Sequence, residues 1–142
     1  MQGIIYSLIA GIFIAVQGVF NSSASEKMGI WQTNLVVNGL GFGVCLVIFL
    51  VVRNGSIGSL TAVNPLYLTG GALGVVIVFS VIKGITLIGA SYATALVLLS
   101  QLGLAFLLDT VGLFGLTRVP ITLPRVMGLL LIAGGVVVFK LK

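Results

Sequence analysis

The sequence predicts an all-α integral membrane protein with five transmembrane helices, and three observations carry that expectation. Seven Lys or Arg and two Asp or Glu are the only charged residues among 142, or 6% of the chain, against roughly 25% in soluble domains. Hydrophobic residues supply 59% and the mean hydropathy is +1.33, whereas a water-soluble fold of this size needs far more polar surface. The apolar residues fall into five runs, most of which approach the ~20 residues that carry a helix across the hydrocarbon. They are too continuously apolar for barrel strands, which alternate over ~10 residues.

The first helix is expected from about Gly3 to Asn21, giving way at Asn21-Ser22-Ser23. It has no positive flank beyond the α-amine and further spans follow, so it is read as a retained helix and not a cleaved signal. The second covers about Trp31 to Val52 and stops at Arg53-Asn54-Gly55. A turn-rich link, Ser56 to Asn64, leads through Pro65 into a third helix at about Leu66 to Leu87. A tight turn around Gly89 separates it from the fourth, about Ala90 to Gly112. The last occupies about Pro124 to Phe139, with Leu123 and Leu141 able to extend it; its shortness leaves a four-span alternative. The five helices are expected to form one domain, residues 1–142.

Several function classes are excluded by what these runs contain. The net charge is +5 and the pI about 9.9, but the basic residues scatter from Lys27 to Lys142 and form no basic face, so nucleic acid is not an expected partner. Most lie near helix ends, where they can sit among lipid headgroups. Cys45 is the one cysteine and there is no His, which removes an intrachain disulfide, the commonest metal ligand and the usual proton relay near neutral pH. No dinucleotide fingerprint or phosphate-binding loop occurs. No cofactor or metal is expected.

Orientation in a membrane follows the bias of Lys and Arg near span ends. Arg53, Arg118 and Arg125 fall on the side of the N-terminus; Lys27, Lys140 and Lys142 fall on the other, joined by Lys83 if it snorkels. The balance predicts insertion in both orientations. Two oppositely inserted copies would supply between chains the inverted symmetry that many transporters carry within one chain. A five-helix monomer is thin for enclosing an aqueous path, and a ten-helix antiparallel homodimer is not. The alternative is a related chain of opposite orientation as partner.

Polar groups inside the runs are few. Gln17 and Asn21 lie four apart on one face of the first helix, with Phe13 and Ser25 extending the stripe. An amide in lipid needs a partner, so this pair either lines a solute path or makes interhelical hydrogen bonds. Asn38 in the second helix carries the same two readings, while Gln32 and Asn34 are placed nearer the interface. Gln101, halfway along the fourth helix, is the clearest polar group at bilayer depth, and Tyr92 with Ser91 and Thr94 could line one mouth of a path. Lys83 is read as a snorkelling anchor or an anion contact, and Asp109 as a coupling or gating group, an ion-pair partner or a solvated cap. Trp31 and Tyr67 stand at helix starts, where interfacial rings are expected. Gly39 and Gly43, Gly70 and Gly74, and Gly11 and Ala15 repeat the four-residue spacing that lets helices approach closely, and Gly134-Gly135 is placed to do the same.

The whole chain resembles the YdcZ-type (DUF606) family of bacterial inner-membrane proteins, a branch of the drug/metabolite transporter superfamily. The resemblance rests on Gly11, Gln17 and Asn21; on Asn64-Pro65-Leu66-Tyr67 leading into Gly70-Gly71 and Gly74; and on Gln101 with Asp109-Thr110-Val111-Gly112-Leu113-Phe114-Gly115. Pro120-Ile121 and Arg125-Val126-Met127-Gly128 complete it. It implies half of a ten-helix inverted-repeat transporter in the bacterial inner membrane, existing as homodimers, paired genes or fused halves. Leu66-Tyr67 stands where an aromatic pair often follows the proline. The chain also lacks the membrane-embedded Glu in helix 1 on which the related four-helix multidrug exporters rely, so their proton and cation exchange is not carried over.

The expected function is alternating-access transport of a small organic metabolite by an antiparallel homodimer in contact with membrane lipid. Gln17, Asn21, Asn38, Tyr92 and Gln101 are the expected path, and Asp109 and Lys83 the coupling or gating groups. The competing classes are a non-transporting membrane subunit, a half-transporter needing a paralogous partner, a channel, and a lipid-modifying membrane enzyme. The last would need a reactive cluster that this sequence does not provide.

Overall fold

The computed structural model describes residues 2–52, 58, 63–112 and 117–141. The expected stop at Arg53-Asn54-Gly55, most of the Ser56-to-Asn64 link, Leu113-Phe114-Gly115 and Lys142 lie outside these described residues. The helices are α1 (Gln2–Met28), α2 (Ile30–Val52), α3 (Gly70–Ile88), α4 (Ala90–Val111) and α5 (Leu123–Lys140), with a short 3-10 turn, Pro65–Thr69, leading into α3. No strand occurs among the described residues. Five segments are long and apolar enough to cross a membrane, with mean hydropathies between 1.8 and 2.7. The fifth, at 18 residues, removes the four-span alternative. The architecture is consistent with half of a ten-helix drug/metabolite transporter.

The expected end of α1 at Asn21-Ser22-Ser23 is corrected: the helix continues to Met28. Serines and asparagines break helices when their side chains offer the backbone a competing partner. Here Ser25 Oγ instead donates to the Ser22 carbonyl one turn back, at 2.7 Å, and Asn21 and Ser22 are buried. The 27 residues of α1 span about 40 Å at 1.5 Å per residue, beyond the ~30 Å hydrocarbon. The polar end through Lys27 can therefore stay helical while standing among headgroups.

Gly29 makes the break. Its φ of +90° is strained for any L side chain, and an added Cβ would stand 2.6 Å from Gln32 Oε1. Its N–H donates to the Ser25 carbonyl at 2.9 Å. Its own carbonyl accepts from the Thr33 N–H at 3.0 Å and the Thr33 hydroxyl at 2.8 Å. One residue thus ends α1 and starts α2. Gly89, with φ +82°, does the same between α3 and α4, its carbonyl accepting the Ala93 N–H at 3.1 Å.

Several other described termini are closed by local hydrogen bonds. The expected start of the third helix at Leu66 is replaced by the 3-10 turn, whose cap is Asn64 Oδ1 accepting the Leu66 N–H at 3.0 Å. At the end of α4, Gly112 takes the left-handed conformation and donates to the Leu108 carbonyl at 2.8 Å. The following segment returns: the Val119 N–H reaches the Asp109 carbonyl at 2.9 Å, and Arg118 Nε reaches the Thr110 carbonyl at 3.0 Å. Carbonyls that a helix end leaves orphaned are satisfied, and the guanidinium complements the negative end of the helix dipole. Pro124 sits in the first turn of α5, where its missing N–H is not needed.

The chain divides into two compact units, Met1–Thr86 and Leu87–Lys142. In the first, α1 and α2 pack together, and polar and small groups tie in α3. The Gly18 backbone meets α3 so closely that an added Cβ would lie 3.1 Å from Ile85 Cδ1 and 3.2 Å from Val81 Cγ1. One turn on, the Ser22 and Thr86 hydroxyls are 3.4 Å apart. Asn34, 3% exposed, donates across helices to the Val75 carbonyl at 2.8 Å. The Trp31 and Phe79 rings stack at 5.0 Å. In the second unit, α4 packs on α5, with Ala93 and Val136 buried.

Two predictions concern the first unit. Gly18→Leu should separate α1 from α3 and destabilise by about 1–3 kcal/mol, the usual cost of overpacking, while Gly18→Ala stays near neutral because only side-chain tips need to move. Asn34→Leu should lose about 0.6 kcal/mol and at most ~1.7, the range for interhelical hydrogen bonds in membranes. Denaturant-induced unfolding in mixed micelles, read by circular dichroism, measures both.

Candidate functional site

Gln17 lies about 16 Å from the C-terminal end of α1 and about 22 Å from its start at 1.5 Å per residue. Gln101 lies about 15 Å from either end of α4 on the same measure. Both side chains are exposed on the surface of the chain, and neither amide makes a hydrogen bond among the described residues. Asn21, one turn beyond Gln17, is only 7% exposed, and its amide also finds no partner among the described residues. Yet every fully enclosed side-chain nitrogen or oxygen among the described residues has one. The Asn21 amide is therefore sunk among neighbours while keeping an opening to the outside. An amide without a partner in hydrocarbon costs several kcal/mol, so these positions call for water, a solute or another chain. Tyr92, near the start of α4, is half-buried.

Asn38 is placed differently. Its amide nitrogen donates to the Asn34 carbonyl at 2.9 Å and to Asn34 Oδ1 at 2.6 Å, and its Oδ1 is 3.7 Å from where a Cβ on Gly74 would stand. Asn34 and Asn38 thus form a ladder on the α2 face that meets α3. With Trp31, Leu35, Gly39 and Val75 they border a shallow groove of about 280 Å³. Asn34, expected near the interface, is here a buried interhelical donor. Its i, i+4 spacing to Asn38 was the available signal.

Within the chain the expected packing glycines differ in their surroundings. Gly74 approaches Asn38, but an added Cβ on Gly39, Gly43 or Gly70 would meet nothing within 4 Å, and the same holds for Gly11, Gly134 and Gly135. The tight contact falls on Gly18, which was not among the expected packing glycines. Gly18 and Ser22 carry the same four-residue spacing, and two small residues there let α3 approach. The other glycines lie on faces that this chain leaves open.

Asp109 and Arg125 border one groove. It lies between α4 and α5, has a volume of about 260 Å³, and is walled by Leu102, Ala105, Phe106, Gly128, Leu129 and Ile132. Asp109 is half-buried, two residues before the end of α4, and Arg125 is two residues after the start of α5. Both charges therefore lie within one turn of a helix end. In the sequence Arg125 stood out for sidedness and for the family resemblance; that it shares a groove with Asp109 depends on the register of α4 against α5. Lys83 is exposed, on the last turn and a half of α3.

No curated protein and no solved structure matches the chain at a significant level. Residues 2–138 match the family described as "Putative inner membrane exporter, YdcZ". A match over nearly the full length, on a chain with five helices apolar enough to span a membrane, makes this a multi-pass inner-membrane protein that belongs to the YdcZ family.

Proposed function

We propose that the chain exports a small organic metabolite by alternating access, working as an antiparallel homodimer. The observation that carries this reading is the set of partnerless amides at bilayer depth, Gln17, Asn21 and Gln101. A subunit that lived alone in lipid would leave them unsatisfied, whereas a second copy enclosing a hydrated path satisfies them and gives them work. Amides donate and accept at once, which suits selection of a neutral or mixed-polarity solute between walls of Leu, Val and Ile. The family description supports outward transport.

Two further features support a second copy. Among the described residues the buried apolar side chains are Ile82 in the first unit and Ala93 and Val136 in the second, so neither unit encloses much by itself. The faces bearing Gly39, Gly43 and Gly70 are open at the backbone, ready for the close van der Waals approach that drives helix association in lipid. Alternating spans put Arg118 and Arg125 on one side and Lys27 and Lys140 on the other. That leaves little bias toward one orientation. The reading rests on the amides; Asp109 and Lys83 are not needed for it.

Reconstituted into proteoliposomes and tested across a broad panel of metabolites, the wild type should show saturable flux of at least one solute. Gln101→Ala and Gln17→Ala should each lower that flux about tenfold, the loss expected when a buried polar contact of about 1.5 kcal/mol is removed, with size-exclusion behaviour unchanged. Background flux alone in wild type and variants, together with no solute-dependent thermal stabilisation, would contradict transport and favour a non-transporting subunit.

A further inference from the structure

We propose that the α4–α5 groove binds a zwitterionic aminophospholipid of the surrounding membrane. Asp109 holds its ammonium, Arg125 its phosphate, and part of an acyl chain lies along Leu102, Phe106, Leu129 and Ile132. The groove has one carboxylate and one guanidinium on its border and otherwise apolar walls. Both charges stand within two residues of a helix end, which is headgroup depth. From Asp109 the walls run back to Leu102, about 10 Å along the helix axis, toward the bilayer centre. Charge at the interface and apolar wall beneath it is the layout of a lipid. A volume of about 260 Å³ falls just short of the ~300 Å³ at which pockets for whole drug-sized ligands begin, so it suits a headgroup and the first part of a chain.

The pair of charges selects among lipids. A guanidinium grips a phosphate through two parallel hydrogen bonds, which any phospholipid offers. The carboxylate then needs donors. A primary ammonium supplies three N–H groups, a trimethylammonium none, and a glycerol headgroup carries no positive charge. Phosphatidylethanolamine satisfies both groups at once. An anionic lipid leaves Asp109 facing a negative headgroup. This proposal does not depend on the transport reading.

Native mass spectrometry of the detergent-solubilised protein, supplied with dioleoyl-phosphatidylethanolamine, -phosphatidylcholine or -phosphatidylglycerol, tests it. Wild type should retain phosphatidylethanolamine about tenfold better than phosphatidylglycerol, the ratio one charge-assisted hydrogen bond gives. Asp109→Asn should erase that preference, and Arg125→Gln should weaken all three lipids. Gly128→Leu keeps both charges but fills the groove; since nothing lies within 4 Å of an added Cβ there, it should fold and lose the bound lipid. Equal retention of the three lipids by wild type would overturn the proposal. So would displacement by soluble phosphoethanolamine at the concentration at which the lipid binds, which would make this a solute site. A double exchange, Asp109→Arg with Arg125→Asp, that restores wild-type stability without any lipid dependence would also overturn it, by showing that the two groups serve only each other.

Discussion

Hydrocarbon offers no hydrogen bonds, and every feature of this chain follows from how its polar groups meet that constraint. Among the described residues the backbone meets it by being largely helical, with local hydrogen bonds at several joints. Gly29 ends one helix and starts the next within a single residue, accepting two hydrogen bonds from Thr33. The return of Arg118 and Val119 onto the last carbonyls of α4 serves the same end. Asn34 meets it by crossing to the Val75 carbonyl, and Asn38 by leaning on Asn34. Gln17, Asn21 and Gln101 do not meet it among the described residues. That contrast divides structural amides from candidates for function better than residue type or depth alone.

The five spans were legible because apolar length and Gly-Pro punctuation are local properties. The α3 entry through Asn64-Pro65 and the breaks at Gly89 and Gly112 were readable for the same reason. The end of α1 was not. Asn21-Ser22-Ser23 looks like a stop, but a serine whose hydroxyl bonds one turn back no longer competes with the helix, and Gly29 offers the cheaper break. Helix pairing was the least legible property. The three pairs Gly11/Ala15, Gly39/Gly43 and Gly70/Gly74 share the four-residue spacing, and the sequence does not say which face meets a neighbour. Only the register of α1 against α3 selects Gly18 and Ser22, just as the register of α4 against α5 puts Asp109 and Arg125 on the border of one groove. The prominence of Gln101 at mid-helix was visible at once, since depth in a span is simple counting.

The outward faces of the chain differ in what they ask for. The glycine-bearing faces of α2 and the start of α3 are open backbone, which gains from a close-packed protein surface and little from mobile acyl chains. The α4–α5 groove carries charge only at headgroup depth and apolar walls below. That matches a lipid and not a partner helix, which would need to bring opposite charges to the same level. Polar residues of α1 and α4 at mid-depth ask for water or another copy. On the proposed reading, one chain presents surfaces for protein, lipid and solute, and an inverted partner would let the first and third be met together without a second gene product.

The most direct measurement replaces Cys45 with Ala, adds a single Cys after Lys142, and follows its labelling by a membrane-impermeant thiol reagent in intact cells and after permeabilisation. An inverted pair predicts that about half of the copies label from outside, as a near-zero charge bias allows. Labelling that is essentially all or none in intact cells would contradict a homodimer of opposite orientation and point to a related chain, inserted the other way, as the second half.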